Sequence, residues 1–423
     1  MANEEAGSCR ENGLFGFLGK MFGKSIPTQL PEVLSDKVSD DIKAAIKTAA
    51  LASENSLWDP NSELDADPLE KKGLTADPSA AYGLFGFMGT KYDKNGNYDS
   101  NGSPLKLVMT GKFPKAQYMS LQIYRGKPLQ TSKDVGGQLS DYRIQPKTGI
   151  NPFQSGNRND SGTFEITITP DTNMENAPNH IYYQAKDQPE DAAVITGFYR
   201  VYLPDGKKFA KADLPKISAF DSSGNEIKPK YVPLVDTWFP NIPGVKLATN
   251  MIVPDLTDLP WLNLDCVTSD ASGLGSSKDV HYIGSLCKVP VGKYVVVKFR
   301  APAVYFGPQE SVEAPAVRYW SICPVYFPGL VGLNSLASDP SKPAARDVTL
   351  VFGKDRPGVA LKAAKLGASF LPDTRSNDED VLTFLLRNIL PTKSIQSQVF
   401  KGRYAPSGKV YTLQEFLELP DTI

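Results

Sequence analysis

The sequence carries an internal repeat, and this repeat limits the possible folds more than any other feature. Three segments of the first half align without gaps on three of the second, in the same order: 114–121 on 315–322, 164–171 on 348–355, and 190–204 on 377–391. The first pair, PKAQYMSL and PAVRYWSI, keeps Pro, Tyr and Ser. Matches that recur in one order indicate two copies of one structural unit. The sequence therefore predicts a tandem duplication.

Short runs of Val, Ile, Thr, Tyr and Phe alternate with turn clusters along most of the chain. The 423 residues include 34 glycines and 34 prolines, which supply these turns. This rhythm is typical of an antiparallel sandwich, and the length exceeds one typical core. We predict an all-β fold of two tandem jelly-roll-like antiparallel sandwiches with a helical N-terminal extension. The predicted boundaries are 1–59 for the extension, 60–225 for the first sandwich and 226–423 for the second.

The N-terminal segment differs in composition from the rest. Residues 35–53 are rich in Ala and Lys, with apolar residues at helical spacing, and predict one helix. Residues 13–24 could form a small amphipathic surface element, but the segment is short and rich in Gly, so we expect no membrane contact there. The first residues are acidic and lack the apolar core of a signal peptide, which predicts a cytoplasmic protein; a processed, exported form would look the same.

Charge and motif content exclude several functional classes. The 46 basic and 47 acidic residues nearly cancel, so we expect no nucleic-acid partner. His180 and His281 are the two histidines, which excludes a metal site of three or more histidines within one chain. Residues 93–99 offer oxygen ligands but lack the glycine and glutamate of a calcium loop, and a hairpin turn explains them better. The sequence predicts neither a metal nor a cofactor.

Several stretches resemble a known group of proteins. These are QYMSLQIY, INPF and FYRVYLPDG in the first half, and RYWSIC, FLPDTR and LLRNILP in the second. They are similar to a group of mostly uncharacterised bacterial proteins, the domain-of-unknown-function sandwiches with jelly-roll, lectin-like topology. The resemblance covers most of residues 80–400. It implies two β-sandwich domains and implies no activity, because a fold alone does not confer a function.

A candidate acid–base site lies at the end of a long second-half segment, residues 239–285. His281 is near Asp265, Cys266 and Cys287 in sequence, with Tyr282 beside it. Histidine is a suitable general base, and Asp265 and Tyr282 could assist it. A lone histidine is more often a hydrogen-bonded structural residue, and that alternative stays open. Cys266 and Cys287 could close a loop as a disulfide or remain thiols.

Two arginines recur at equivalent places inside apolar strands. Arg200 lies beside Phe198 and Tyr202, and Arg387 lies in the aligned position. A buried guanidinium needs a carboxylate, carbonyl groups or a bound anion. Because the arginine recurs, we favour a structural ion pair over a ligand contact, with Asp191 and Asp378 as the equivalent partners to test.

Loop aromatics mark a second candidate surface. Trp238 directly precedes the long segment 239–285 and Trp261 lies within it, both close to prolines. A second long connection covers residues 302–315. Exposed aromatic side chains stack on sugars and flat ligands, and connections of this length are often functional. The same tryptophans could instead cover the open end of a sandwich.

The aligned strands indicate which side chains share a face. In the first half, Met119 and two later apolar residues form one face, and Tyr118 lies on the other. By alignment Trp320 then fills a core, whereas Tyr319 and Ser321 share the alternative face, so we assign Tyr118, Tyr319 and Ser321 to a candidate ligand surface. Pro324 predicts an edge or a bulge just beyond.

Two functional hypotheses follow. In the first, the protein binds a carbohydrate or a small organic ligand in a cleft between or at the end of the sandwiches. In the second, it is an unconventional enzyme, a cyclase, isomerase or hydrolase, with an aromatic pocket and acid–base residues. We favour the first, because the sequence shows no nucleophile–base pair.

Overall fold

The computed structural model describes about three fifths of the chain. The described residues are 58, 77–89, 91–92, 98–99, 105–125, 135–170, 177–183, 194–205, 209–228, 258–259, 261–263, 277–327, 331–332, 335–375, 381–396, 398 and 402–421. The predicted helix at 35–53 and the segment 13–24 lie outside them.

Strands dominate both halves. The first half contains β1 (Ala80–Met88), β2 (Lys91–Tyr92), β3 (Tyr98–Asp99), β4 (Lys106–Lys112), β5 (Tyr118–Arg125), β6 (Val135–Ser140), β7 (Pro146–Gly149), α1 (Pro152–Ser155), β8 (Gly162–Thr169), β9 (His180–Tyr182), β10 (Val194–Tyr202), β11 (Lys216–Phe220) and β12 (Glu226–Ile227). β2 and β3 pair antiparallel, which confirms the predicted hairpin around residues 93–99.

The second half has a similar order of elements. It contains β13 (Leu262–Asn263), β14 (Val280–Lys288), β15 (Tyr294–Ala301), β16 (Ala303–Val304), β17 (Ala316–Val317), β18 (Tyr319–Phe327), β19 (Val331–Gly332), β20 (Leu336–Ala337), β21 (Arg346–Gly353), α2 (Val359–Lys365), β22 (Ser369–Pro372), β23 (Val381–Ile389), α3 (Lys393–Gln396), β24 (Ser407–Tyr411) and α4 (Leu413–Glu418). The segment 239–285, predicted as one loop, thus contains β13 and the start of β14. That prediction was wrong at its C-terminal end, because 280–285 pair along β23.

Four main sheets result. Sheet I has the order β1-β10-β5-β6, and sheet II the order β12-β11-β4-β8-β7, with β9 beside β8. Sheet III has the order β13-β14-β23-β18-β19, with β20 also on β18, and sheet IV the order β22-β21-β15-β24. The all-β prediction is therefore confirmed. Long neighbouring strands pair antiparallel, and successive long strands of each half alternate between its two sheets.

Each half buries its core between two sheets. In the first half, side chains of β5 such as Met119 and Leu121 pack with Leu107 and Ile166 of sheet II. In the second, Trp320 of β18 is fully buried, and its ring meets Phe299 of sheet IV edge-on with 5.4 Å between centroids. The predicted core faces of β5 and β18 are confirmed, since alternate strand residues point to opposite faces.

Pro324 lies inside β18 and not beyond its end. β18 pairs along its length with β23 on one side. On the other side β20 pairs with Ser321 and Ile322, and β19 pairs with Val325 and Tyr326. Residues 333–334, between β19 and β20, lie outside the described residues. The edge or bulge predicted just beyond Pro324 stays a prediction.

The same pairing register occurs in both halves. Arg200 of β10 is opposite Tyr82 of β1 and Ser120 of β5. Arg387 of β23 is likewise opposite Tyr282 of β14 and Ser321 of β18. One residue after each of these central strands, Leu203 and Leu390 have φ values of 48° and 46°, a left-handed conformation that is uncommon for leucine.

The two sandwiches stack through sheets I and III. The rings of Tyr202 in sheet I and Tyr319 in sheet III lie 5.1 Å apart, and Val280 and Ile389 of sheet III belong to the core cluster of the first half. The opposite face of sheet IV is covered instead by α2 and α4, through side chains such as Phe416. The faces of sheets I and III that meet are called the inner faces below.

Candidate functional site

The inner faces carry many polar and aromatic side chains that are nevertheless buried. On β10, Thr196, Phe198, Arg200 and Tyr202 alternate with residues that fill the core of the first sandwich. Period-two alternation therefore gives one strand two different environments, an apolar one inside its sandwich and a mixed one towards the second sandwich. Buried polar groups in such a setting need partners, and these partners define the site.

Arg200 is held by side chains of the neighbouring strand β5. Its Nη1 donates to Oε1 of Gln122 at 2.9 Å, and its Nη2 donates to the hydroxyl of Tyr124 at 2.5 Å. The guanidinium also lies over the ring of Phe198, 4.9 Å from its centroid. Burial lowers the pKa of Arg200, but the surrounding phenols outweigh this and raise it, so the side chain stays charged.

Arg387, its counterpart in sheet III, has a different setting. Burial acts to lower its pKa, but the carboxylate of Asp77 and the nearby Cys323, Tyr82 and Tyr282 raise it overall. Asp77 comes from the first half of the chain, so the charge of Arg387 is compensated across the junction of the two sandwiches. Only 3% of Arg387 is exposed, which makes this compensation necessary.

Asp77 is also the acceptor for two side chains of β18. The hydroxyl of Tyr319 donates to its Oδ2 at 2.9 Å, and Oγ of Ser321 donates to the same oxygen at 2.5 Å. The backbone N–H of Ser79 donates to Oδ1 at 2.9 Å. Two residues assigned to the candidate ligand surface from sequence, Tyr319 and Ser321, therefore bind a carboxylate of the other half.

Tyr118 makes the reciprocal contact. Its hydroxyl donates to Oδ2 of Asp279 in the second half, and Oγ of Ser140 donates to the same oxygen at 2.6 Å. Tyr118 and Tyr319 occupy aligned positions on β5 and β18. Each half thus sends one tyrosine to an aspartate of the other, and the two contacts fix the relative position of the inner faces.

The phenols of the inner faces keep their protons at neutral pH. Burial, aided by nearby carboxylates, raises the pKa of Tyr118 and of Tyr319 well above the usual value. Burial also raises the pKa of Tyr202 and, to about 12, that of Tyr124. These hydroxyls therefore act as hydrogen-bond donors or weak acids and not as bases near pH 7.

A second ionic contact crosses the junction at one end. Arg318, fully buried, donates through Nη1 to Oδ2 of Asp141 at 2.9 Å and through Nη2 to the carbonyl of Gly307. Gln117, at the position aligned with Arg318, donates to the carbonyl oxygens of Arg318 and Tyr305 at 2.6 and 3.1 Å. The connection 302–315, which its length predicted to be functional, contacts the first sandwich through the carbonyl of Tyr305.

Several buried side-chain polar atoms on the inner face of sheet I have no hydrogen-bond partner among the described residues. One is Oγ of Ser120, and two others are neighbouring donors. They are Nε2 of Gln122 and Oγ1 of Thr196, and both side chains are fully buried. The register places Gln122 opposite Phe198 and Thr196 opposite Tyr124, so the two are diagonal neighbours on one face. A buried polar atom without a partner is costly, so an additional group that accepts hydrogen bonds is expected there.

The predicted acid–base residues are not brought together. Tyr282 lies on the inner face of sheet III and contacts the core of the first half. His281 precedes it on β14 and therefore points to the opposite face, on the same side as Ile283 in the second core. Asp265 and Cys266 lie outside the described residues, as does the side chain of Cys287. The proposed catalytic use of His281, Asp265 and Tyr282 stays a prediction.

The other predicted site residues fall into two groups. Arg200 and Arg387 lie on the two inner faces, with Tyr118, Tyr319 and Ser321. Trp261 is half-buried and packs against the second core, whereas Trp238 lies outside the described residues, as do the predicted ion-pair partners Asp191 and Asp378. The structure thus groups the strand residues at the junction and separates Trp261 from them.

The sequence pointed to the residues that donate hydrogen bonds across the junction, such as Tyr118 and Tyr319, but not to the aspartates that accept them. Asp77, Asp141 and Asp279 received no role, although each lies just outside or at the edge of a strand. The signal was weak: Asp77-Pro-Ser79 and Ser277-Lys-Asp279 precede aligned strands with Asp and Ser exchanged. Only the stacking of the inner faces reveals that Asp77 and Asp279 bind tyrosines, and Asp141 an arginine, more than 100 residues away.

Within the described residues, no group of three or more His, Cys, Asp or Glu side chains could hold a metal ion. No helix among them combines the length and the apolar character needed to cross a membrane.

Two solved structures of bacterial proteins align with most of the chain. One is an uncharacterised protein from Burkholderia cenocepacia, with a TM-score of 0.52 and 13% identity over 88% of this chain and 86% of that one. The VPA0106 protein from Vibrio parahaemolyticus aligns over 88% of this chain and 96% of its own, with 11% identity and a TM-score of 0.39. No family model matches the chain, and no curated protein matches it either. The first likeness supports a shared fold and says nothing about activity.

Proposed function

We propose that the protein binds a small organic ligand, or a carbohydrate, between the two sandwiches at the inner faces of sheets I and III. The observation that carries the proposal is the pair of fully buried donors, Gln122 Nε2 and Thr196 Oγ1, that have no partner among the described residues. Proteins seldom bury such groups unused, and a ligand supplies the missing acceptors.

The surroundings support binding. Aromatic rings of Phe198 and Tyr124 offer flat apolar contacts beside these donors. Tyr82 and Tyr282 are only half-buried, so the cluster reaches towards solvent at their positions. A site with aromatic walls and a few convergent polar groups is the common form of a small-molecule site.

The test is identification of the small molecules that remain bound after purification from the natural host. The purified protein is denatured and the released compounds are identified by mass spectrometry. We expect one compound near stoichiometric amounts in the wild type and its loss in Gln122→Met, which keeps side-chain volume and removes the donor. Gln414→Met, on the exposed side of α4, is the matched control and should retain the compound. A wild-type protein that releases nothing, at full folding, contradicts the proposal.

An unconventional enzyme, a cyclase, isomerase or hydrolase, is the second candidate. One observation favours it: Arg200 and Arg387 both act electrostatically on the phenol of Tyr282. Nearby positive charge favours the ionised form of a phenol, so Tyr282 could donate a proton to a bound substrate. Once a ligand is identified, Tyr282→Phe tests this role. Turnover of that ligand by the wild type, lost in the variant with binding retained, would favour the enzyme; absence of turnover favours a binding protein.

We also propose that the chain arose by tandem duplication of one jelly-roll-like sandwich and is related to the bacterial proteins that share its fold. The identical registers around Arg200 and Arg387 and the left-handed Leu203 and Leu390 support the duplication. Superposition of experimental coordinates of the halves should pair these residues. A register shift of two residues in several strands would contradict a common origin.

A further inference from the structure

One of the two donors without a partner among the described residues, the amide of Gln122, is hydrogen-bonded to the guanidinium of Arg200. Gln122 accepts a hydrogen bond from Arg200 through Oε1, which fixes the orientation of its amide, because a guanidinium can only donate. Its Nε2 is therefore a donor, on an amide that the neighbouring positive charge polarises. A donor in this position pairs best with an acceptor that carries negative charge.

The hydroxyl of Thr196 is a second buried donor without an acceptor among the described residues. It lies diagonally from Gln122 on the same face, fully buried and without a partner among the described residues. The hydroxyl of its neighbour Tyr124 already accepts a hydrogen bond from Arg200 and keeps its proton. The two donors without partners are therefore surrounded by the guanidinium of Arg200 and the aromatic rings of Tyr124 and Phe198.

The carboxylate of Asp77, at the junction of the two sandwiches, already accepts hydrogen bonds from other groups. Asp77 accepts from Tyr319, Ser321 and the N–H of Ser79, and compensates Arg387. Its oxygens are therefore committed to sheet III and to its own loop. An acceptor for Gln122 and Thr196 has to come from elsewhere.

We infer that the bound ligand carries a carboxylate, whose oxygens accept from Gln122 Nε2 and Thr196 Oγ1 beside the guanidinium of Arg200, with an apolar or aromatic body against Phe198 and Tyr124. A carboxylate is planar and singly charged, which suits a guanidinium and two neutral donors. A doubly charged phosphate would need more charge compensation to leave water. The inference rests on the proposed function and names the chemical class of its ligand.

The probes are three acid–amide pairs: benzoate and benzamide, hexanoate and hexanamide, and succinate and succinamide. Binding is measured by calorimetry on the full chain. We expect at least one carboxylate to bind at least tenfold more tightly than its amide. Inorganic phosphate is included, and phosphate binding tighter than every carboxylate would overturn the choice of carboxylate.

Two variants locate the binding. Gln122→Glu places a carboxylate beside Arg200, which supports folding but repels a carboxylate ligand, so binding should fall by tenfold or more. Thr196→Val keeps shape and removes the hydroxyl, with an expected loss of about tenfold. Thr110→Val, on β4 of sheet II, is the matched control and should bind like the wild type. Unchanged carboxylate binding in both inner-face variants, with their thermal midpoints preserved, would overturn the inference.

The outcomes separate this inference from the proposed function. A neutral compound released from the native protein, with no probe acid preferred over its amide, overturns the carboxylate and leaves binding between the sandwiches in place. No released compound and no bound probe overturns both. A released carboxylic acid that Gln122→Glu fails to retain supports both.

Discussion

Arg200 and Arg387 occupy equivalent positions on the central strands of sheets I and III, but their partners differ. Arg200 binds Gln122 and Tyr124 of its own sheet, whereas Arg387 lies beside Asp77 from the other half. At the positions aligned with Gln122 and Tyr124, sheet III carries Cys323 and Val325. The strand register sets where each guanidinium lies, and the neighbouring side chains set what it binds.

The acids show the same kind of divergence. Asp77 and Ser79 precede β1, whereas the aligned positions before β14 are Ser277 and Asp279. Either arrangement gives one carboxylate to the tyrosine of the opposite half. Only Asp77, however, also lies close to a buried arginine. The junction is therefore similar in geometry on its two sides and different in charge, and the sheet I side retains the donors without partners.

Removal of Asp77 should have the largest effect. Asp77→Asn leaves Arg387 without its neighbouring charge, and loss of one partner of a buried charge pair costs about 3–5 kcal/mol. Asp279→Asn, at a half-buried acid that accepts from Tyr118 and Ser140, should cost about 1–2 kcal/mol. Urea unfolding monitored by fluorescence gives both values, with the exposed Asp347→Asn as control. Equal losses at Asp77 and Asp279 would contradict the difference in charge.

Asp141, buried beside Arg318, predicts a pH dependence of stability. The first half carries the neutral Gln117 at the position aligned with Arg318. Burial raises the pKa of Asp141 to about 7, against the opposing effects of Arg318 and the N–H of Tyr142, and the nearby Asp279 also raises it. The ordinary value in an unfolded chain is about 4. Between these two values the folded protein holds a proton that the unfolded chain has released.

Folding therefore takes up this proton, and the free energy of unfolding should decrease as pH rises from about 4 to about 7, by roughly 2–4 kcal/mol from this group. The contribution is largest below pH 4 and levels off above pH 7. Asp141→Asn should flatten this slope relative to the wild type in urea titrations at several pH values. A slope that persists unchanged in Asp141→Asn would assign the pH dependence to other groups.

Tyr118 and Tyr319, which each bind an aspartate of the other half, should show the smallest difference in stability when their hydroxyls are removed. Tyr319→Phe removes a buried hydrogen bond to the carboxylate that compensates Arg387, at a cost of about 1.5–3 kcal/mol. Tyr118→Phe removes the equivalent bond to the half-buried Asp279, at a cost of about 0.5–1.5 kcal/mol. The double variant should cost about the sum, because separate acids are involved. A larger loss in Tyr118→Phe would reverse the asymmetry.

The sequence predicts much of each half and little of their junction. Local alternation correctly assigned Met119 and Trp320 to cores and Tyr118 and Tyr319 to the other face, since a strand's period of two is visible in the residues themselves. It could not reveal what covers that other face. Contact between Tyr319 and Asp77, 242 residues apart, depends on the stacking of two sheets.

His281 and Tyr282 illustrate the converse case, in which neighbours in sequence lie on different faces of a strand. Proximity in sequence grouped His281 with Tyr282 in one candidate site, on the assumption that the segment was a loop. The segment is the start of β14, so neighbouring residues point to opposite faces. Recognition of Val280-His-Tyr-Ile as a counterpart of the first strand of the other half would have separated them.

The measurement that tests the central claim most directly is a crystal structure of the protein purified from its natural host. The account predicts electron density for an ordered small molecule between sheets I and III, with acceptor atoms within about 3 Å of Gln122 Nε2 and Thr196 Oγ1. Inner faces in direct contact, with these two atoms bonded to protein groups or to water alone, would contradict it.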